Sequence, residues 1–211
     1  MLGWLGQGSG RTLLDVGAAD GLLSGKFTAR GWAVTAIECD PALARAAAAS
    51  CERMIVANLN REIPELDACY DAIVFGDVLE HLADPGAVLR AFTRFLAPEG
   101  VVVVSVPNVA HLIIRLSLLF GRFDYIDRGI LDESHLRFFT QRSLRRLVSD
   151  VGLDITRFTA TPAPLYQVLP QRFHRPWLAM THAVNAAIAH RLPRLLGYQF
   201  VVLASRSAPP P

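Results

Sequence analysis

Hydrophobic positions along the chain fall into short continuous runs, separated by stretches with helical spacing. Leu13-Leu14-Asp15-Val16 is the first run, and Gly17-Ala18-Ala19-Asp20-Gly21 turns it at once into a small-residue loop. Such a run reads as a buried strand whose end a ligand can approach closely. The stretch after Gly21 carries Leu22, Leu23 and Phe27 as a helix that stops near Gly31. Residues 32–37 read as strand two and deliver Glu38 to its end; Asp40-Pro41 then opens an Ala-rich helix reaching about Cys51. Residues 54–57 and 71–75 read as strands three and four.

Asp84-Pro85 starts a helix with Val88, Leu89, Phe92 and Leu96 at helical spacing, closed by Pro98-Glu99-Gly100. The run 101–106 has the pattern of a central strand buried on both faces. Residues 107–139 are less regular. Thr140 caps a helix over 141–151 with Leu144, Leu147 and Val148 on one face, and 153–159 and 198–204 read as the last two strands. Residues 1–11 read as a loop. Strands alternating with helices across short loops predict an α/β fold, a mostly parallel sheet with helices on both faces.

Residues 162–196 read as an insertion before the last strand. Pro162, Pro164, Pro170 and Pro176 lead into a helical stretch over 177–192, where Leu178, Val184, Ile188 and Leu192 make an apolar stripe near His182, Arg191 and Arg194. The stripe is expected to pack on the domain or on a second copy of the chain, as a homodimer; a membrane-surface or acceptor-binding helix is the alternative. Residues 1–206 read as one domain and 207–211 as a disordered tail.

Composition narrows the class. With 211 residues, 52% hydrophobic and 19% charged, the chain has the makeup of one globular domain. A net charge of +2 gives no reason to expect a nucleic-acid partner. Cys39, Cys51 and Cys69 are odd in number and lack metal-type spacing, which points to a reducing, cytoplasmic setting. No run reaches the roughly 18 apolar residues of a membrane span. The nearest, around 112–120, contains Arg115, so only a peripheral membrane contact stays open.

The Gly-rich turn by itself suits many nucleotides. Glu38 strengthens it, because an acid about 20 positions after such a turn is where a ribose diol is held. Asp15-Val16-Gly17-Ala18-Ala19-Asp20-Gly21, Glu38, Asn58 and Phe75-Gly76-Asp77-Val78-Leu79-Glu80-His81 follow one another in the order of the motifs of class I S-adenosylmethionine-dependent methyltransferases, which residues 12–159 resemble. The resemblance implies a Rossmann-like class I methyltransferase fold: a mostly parallel seven-stranded sheet whose last strand is antiparallel. It implies S-adenosylmethionine as cofactor, with Asp15, Gly17, Ala18, Ala19 and Gly21 at the methionine moiety. Glu38 and the adjoining Cys39 would serve the ribose, Asn58 and Leu59 the adenine, and Gly76 and Asp77 the floor near the sulfonium. Ala19 stands where the family usually has a middle glycine, a change that is tolerable if the backbone avoids positive φ. A nicotinamide dehydrogenase, the competing use of such a turn, is disfavoured by the strand-four motif.

A second constellation is Asp77, Glu80 and His81, with His135 about 54 residues on. Asp77 and Glu80 are three apart, which on a helical turn puts them on one side with His81 beside them. Two carboxylates and two imidazoles are a divalent-metal set. The group resembles the acid-x-x-Glu-His plus distant His of two metal-dependent O-methyltransferase groups, one acting on small-RNA 3′ ends and one in ubiquinone biosynthesis. That resemblance implies Mg²⁺ or Mn²⁺ on Asp77, Glu80, His81 and His135, bound to neighbouring hydroxyls of the acceptor. Two metal-free readings remain open: Glu80, His81 and His135 as catalytic groups that orient or deprotonate a hydroxyl, or as braces of the loop.

Ser105-Val106-Pro107-Asn108-Val109-Ala110-His111 resembles a different relative, a small methionine-biosynthesis protein of methyltransferase fold that partners an acyltransferase. The same segment followed by His135-Leu136-Arg137-Phe138-Phe139-Thr140 resembles methyltransferases of glycan assembly. The expected function is therefore O-methylation of a sugar, polyol or other small-molecule hydroxyl, with a non-catalytic partner subunit as the alternative. Arg115, Arg122, Arg128 and Arg137 could offer an anionic acceptor a landing surface. Since the chain starts almost at strand one, either the cofactor site is open, or the insertion or another subunit is expected to cover it.

Overall fold

The computed structural model describes residues 1–163 and 176–207. Seven strands form one sheet: β1 (Thr12–Val16), β2 (Ala33–Glu38), β3 (Arg53–Val56), β4 (Tyr70–Gly76), β5 (Leu96–Pro107), β6 (Leu153–Thr161) and β7 (Gln199–Arg206). Their order is β3-β2-β1-β4-β5-β7-β6. β1 to β5 pair in parallel, and β7 runs antiparallel to both β5 and β6. The carboxyl ends of β1, β2 and β4 therefore lie side by side at one edge.

Eight helices surround the sheet among the described residues: α1 (Leu2–Leu5), α2 (Leu22–Thr28), α3 (Pro41–Ala47), α4 (Pro85–Thr93), α5 (Leu112–Leu119), α6 (Gln141–Asp150), α7 (Pro176–Arg191) and α8 (Pro193–Leu196). Their starts follow local chemistry. Asp40 accepts from Ala42 and Leu43 N–H, Asp84 accepts from Ala87 N–H, and Thr140 forms a reciprocal capping box with Ser143.

Alternation along the strands divides the core in two. Leu14, Val16, Ile73, Phe75, Val102 and Val104 face one way and pack with Leu89 and Phe92 of α4 and Leu144 and Val148 of α6. Leu13, Ala72, Val74 and Val103 face the other way, against Phe27 of α2 and Trp32. Each fully buried Leu or Phe removed from water contributes about 2 kcal/mol, so both faces commit the chain to this register.

Two boundaries differ from the sequence pattern. β5 begins at Leu96 because Leu96 pairs with Tyr70 ahead of a register shift, so the Pro98-Glu99-Gly100 segment lies inside the strand. Residues 2–5 form a short helix rather than a loop, held by Leu5 in the α2 side of the core. Pro164, Pro170 and residues 208–211 lie outside the described residues, as do the side chains of the stripe residue Leu178 and neighbouring His182. Val184, Ile188 and Leu192 are exposed. No helix among the described residues is long and apolar enough to cross a membrane.

Candidate active site

The edge where β1, β2 and β4 end opens into a cleft of about 100 Å³, lined by Gly17, Glu38, Cys39, Asn58, Leu59, His81 and their neighbours. Its first wall is the turn after β1. Gly17 and Ala18 N–H both donate to the Ile37 carbonyl, which folds the turn over the end of β2. Gly17 has φ 73°, and a Cβ there would meet Val78 Cγ2 at 2.4 Å. Gly21 has φ 81°, and a Cβ there would meet Ala47 Cα and Cβ at 2.8 Å. Glycine is required at both positions. Leu22 N–H, an expected free donor of the following helix, is taken by Asp20 Oδ1 at 3.2 Å.

Ala19 is at φ 48°, in the left-handed region. The condition under which an alanine is comfortable here is not met, and its methyl adds about 1 kcal/mol of backbone strain. Glu38 holds that strain in place. Its Oε2 accepts from Ala19 N–H at 2.8 Å, while Oε1 accepts from Cys39 and Asp40 N–H at 2.8 and 2.9 Å. A carboxylate has about four acceptor positions, so one on Oε2 is left for a hydroxyl. Asp15 is buried at the end of β1 and accepts from Ser24 Oγ at 2.6 Å. Burial pushes its carboxyl up to about 6, against the pull of the Ser24 hydrogen bond. Asn58 turns the chain after β3, with Oδ1 accepting from Asn60 N–H at 3.0 Å.

The opposite wall follows β4. A 3₁₀ turn over Leu79–His81 buries Glu80 to 1% exposure, and neither carboxylate oxygen has a hydrogen-bond partner. Burial, with the charge of Asp77 adding to it, raises the Glu80 carboxyl to about 8. His81 and His135 stand beside it with ring centroids 4.8 Å apart. His81 Nδ1 lies 3.2 Å from the Ser134 carbonyl, and His135 Nδ1 lies 3.1 Å from the Ile130 carbonyl. A carbonyl only accepts, so in the neutral form of each ring Nδ1 carries the proton and Nε2 the lone pair. Desolvation lowers the His135 pKa, which keeps that ring neutral. Ligand atoms of Glu80, His81 and His135 all lie within 4.8 Å of one another. An orphaned buried carboxylate near two imidazoles fits a divalent cation.

Asp77 does not join this trio, contrary to the four-residue set expected from spacing. It precedes the 3₁₀ turn at φ 57°, so helical spacing does not carry it to the Glu80 side. Its Oδ1 accepts from Ser105 Oγ at 2.7 Å and its Oδ2 from Gln199 Nε2 at 2.8 Å. Its N–H donates back to Ser105 Oγ. Asp77 is thus clamped toward β5 and β7, beside Gly76 at the end of β4.

Sequence reasoning missed four supporting residues. Ser105 is the one polar residue within the run 101–106, a visible signal. Asn60 donates to the His81 carbonyl at 3.0 Å and accepts from Ala83 N–H at 2.8 Å, bracing the turn that carries Glu80. Asp132 accepts from Ser134 N–H and sets the short loop that presents His135. Gln199 reaches Asp77 across 122 positions, for which no local signal exists.

Residues 2–157 match the family described as methyltransferase domain. The chain belongs to that family. It is an S-adenosylmethionine-dependent methyltransferase. It is 28% identical over 196 residues to the ubiquinone biosynthesis O-methyltransferase of Psychrobacter arcticus, spanning 88% of this chain and 73% of the relative. To the enzyme of the same name from Caulobacter sp. strain K31 it is 27% identical, over 71% of this chain and 64% of the relative. A methyltransferase structure from Mesorhizobium loti superposes with TM-score 0.64 at 16% identity, covering 93% of this chain and 91% of the other. Magnesium protoporphyrin IX methyltransferase from Synechocystis, solved with S-adenosylhomocysteine, gives TM-score 0.61 at 16% identity over 94% and 75%. These likenesses show a common Rossmann-like methyltransferase fold.

Proposed function

We propose that this O-methyltransferase acts on a small molecule bearing two neighbouring hydroxyls, a catechol-like ring or a sugar or polyol diol, with a divalent cation on the acceptor side. The observation that carries the reading is the buried, unpartnered carboxylate of Glu80 beside the Nε2 lone pairs of His81 and His135. The name of the curated relatives, ubiquinone biosynthesis O-methyltransferase, favours a ring hydroxyl within this class.

S-adenosylmethionine, when bound, supplies a methyl group made electrophilic by its sulfonium. Glu38 would take a ribose hydroxyl on the open side of Oε2, Asn58 and Leu59 would flank the adenine, and the turn from Asp15 to Gly21 would face the methionine end. Gly76 and the clamped Asp77 would form the floor. Mg²⁺ or Mn²⁺ held by Glu80, His81 and His135 would lower the acceptor hydroxyl's pKa and fix its oxygen. His135 stays neutral at physiological pH, so its lone pair is available to a cation or to the hydroxyl proton. Positioning of oxygen and methyl in line then carries most of the acceleration. The Glu80–His81–His135 group also favours catalysis over a purely activating role, which has no use for an orphaned acid.

The test is release of S-adenosylhomocysteine from a catechol and from a vicinal sugar diol, each with EDTA and after restoring Mg²⁺ or Mn²⁺. Turnover with at least one diol, lost to EDTA and restored by metal, is expected. Equal turnover in EDTA removes the cation, and no turnover with either acceptor removes the diol.

A further inference from the structure

A second cleft of about 360 Å³ opens around the start of α6, lined by Arg115, Arg142, Arg145 and Arg194 with Thr140 and Gln141. Ion pairs among the described residues occupy Arg53, Arg94, Arg122 and Arg146, and none of the four cleft arginines. No acidic side chain among the described residues lines the cleft. Four arginines along one cleft, with no counter-charge among the described residues, make a positive surface that an anion would relieve.

Three of these arginines are also held. Arg115 Nε donates to the Ala110 carbonyl at 2.6 Å, and Arg194 Nε donates to Gln141 Oε1 at 3.0 Å. Binding through Nε leaves the four Nη–H donors of each group uncommitted, in a fork suited to two oxygens at once. The Arg145 guanidinium rests 4.8 Å over the Phe158 ring. Among the arginines expected as a landing surface, Arg115 lies here, whereas Arg122 is paired with Asp124 and Arg137 is bound to the Ala83 carbonyl. The first N–H groups of α6 add a smaller favourable field.

We propose that this cleft binds a phosphoryl group, as a diphosphate or a phosphodiester. Planar bidentate donors, several positive charges and the lack of any acid match that chemistry better than a lone carboxylate. The free phosphate of a soluble compound and the headgroup of an anionic lipid share it. The cleft shares its segment with the acceptor wall, since Thr140 lies five positions after His135. The inference does not depend on what Glu80 and the two histidines hold.

The test is calorimetric titration of the whole protein with inorganic pyrophosphate, alongside flotation with phosphatidylglycerol and with phosphatidylcholine vesicles. Pyrophosphate or phosphatidylglycerol should bind, with phosphatidylcholine failing. Arg142→Gln with Arg145→Gln should weaken that binding about tenfold or more, while S-adenosylmethionine affinity stays unchanged. Arg115→Gln with Arg194→Gln should do the same, which covers loss of the Arg145 contact with Phe158. Binding of pyrophosphate alone assigns a soluble phosphate; binding of anionic vesicles alone assigns a headgroup. If neither binds, or both double variants bind as tightly as the parent, the proposal is overturned.

Discussion

Glu38 lines the cleft and Glu80 adjoins His81, which lines it too, and these two buried carboxylates are built in opposite ways. Glu38 ends β2 and accepts three backbone N–H groups. Glu80 sits in a 3₁₀ turn less exposed still and accepts nothing through its side chain. An unmet buried carboxylate is unfavourable by several kcal/mol unless it takes up a proton or meets a cation. The satisfied acid is a finished recognition surface. The unsatisfied one is a site whose partner arrives with the reaction.

The largest effects should therefore come from the Glu80 wall and should leave cofactor binding alone. Glu80→Gln and His135→Ala are each expected to lower kcat by about 10²–10³-fold. Calorimetry should find S-adenosylmethionine affinity within about twofold of the parent. Full activity in both variants would end the acceptor-side role. A matched loss of cofactor affinity would instead mean that the two walls are one structural unit.

Asp15 is the next lever, because it lies under the Glu38 wall and shares Glu80's burial. Its carboxyl is raised from 3.8 to about 6, so the folded chain holds that proton more tightly than the unfolded one. The associated stability is present below about pH 4 and is lost as pH rises through about 6, on the order of 3 kcal/mol. Asp15→Asn cannot ionise and keeps an oxygen for the Ser24 hydroxyl. Urea unfolding should find it more stable than the parent at pH 8, with the gap closing near pH 4. A gap independent of pH would show that ionisation of Asp15 is not its source.

Glu38→Gln tests the finished wall directly. It swaps one acceptor oxygen for a donor that cannot take N–H groups, so both the turn and the ribose contact suffer. S-adenosylmethionine should bind about 10- to 100-fold more weakly, in line with charged hydrogen bonds worth about 1.5–3 kcal/mol. The same change at Glu80 should not move this quantity. Unchanged affinity in Glu38→Gln would take the ribose away from this residue.

How much of this contrast could be read from the chain depends on the range of the forces involved. The sheet was legible because buried parallel strands need unbroken apolar runs such as 101–106, and the caps Asp40, Asp84 and Thr140 because capping is chemistry within three residues. Glu80, His81 and His135 were legible as chemically capable groups. Which of them would meet depended on backbone geometry. Asp77 left the set because φ 57° turns it toward Ser105 and Gln199, and the partner strand β7 lies more than a hundred residues away. The Pro98-Glu99-Gly100 segment misled for a similar reason, since its neighbour Leu96 pairs with Tyr70 across the helix between them.

The smallest expected effect separates strain from packing within the Glu38 wall itself. Ala19 is exposed at φ 48°, so its methyl touches little and resists the conformation by about 1–2 kcal/mol. Glycine removes that resistance and gives back roughly 0.5–1 kcal/mol through greater freedom of the unfolded chain. Ala19→Gly should therefore raise stability by no more than about 1 kcal/mol and hold or tighten S-adenosylmethionine binding. Gly21→Ala is its mirror image. A methyl there faces φ 81° and Ala47 at 2.8 Å, so strain and overpacking act together and stability should fall by about 2 kcal/mol or more. Paired thermal melts and cofactor titrations of the two variants read both signs at once. If Ala19→Gly weakens cofactor binding, the left-handed turn is not the conformation that the cofactor selects, and the Glu38 contact with Ala19 N–H must break when it binds.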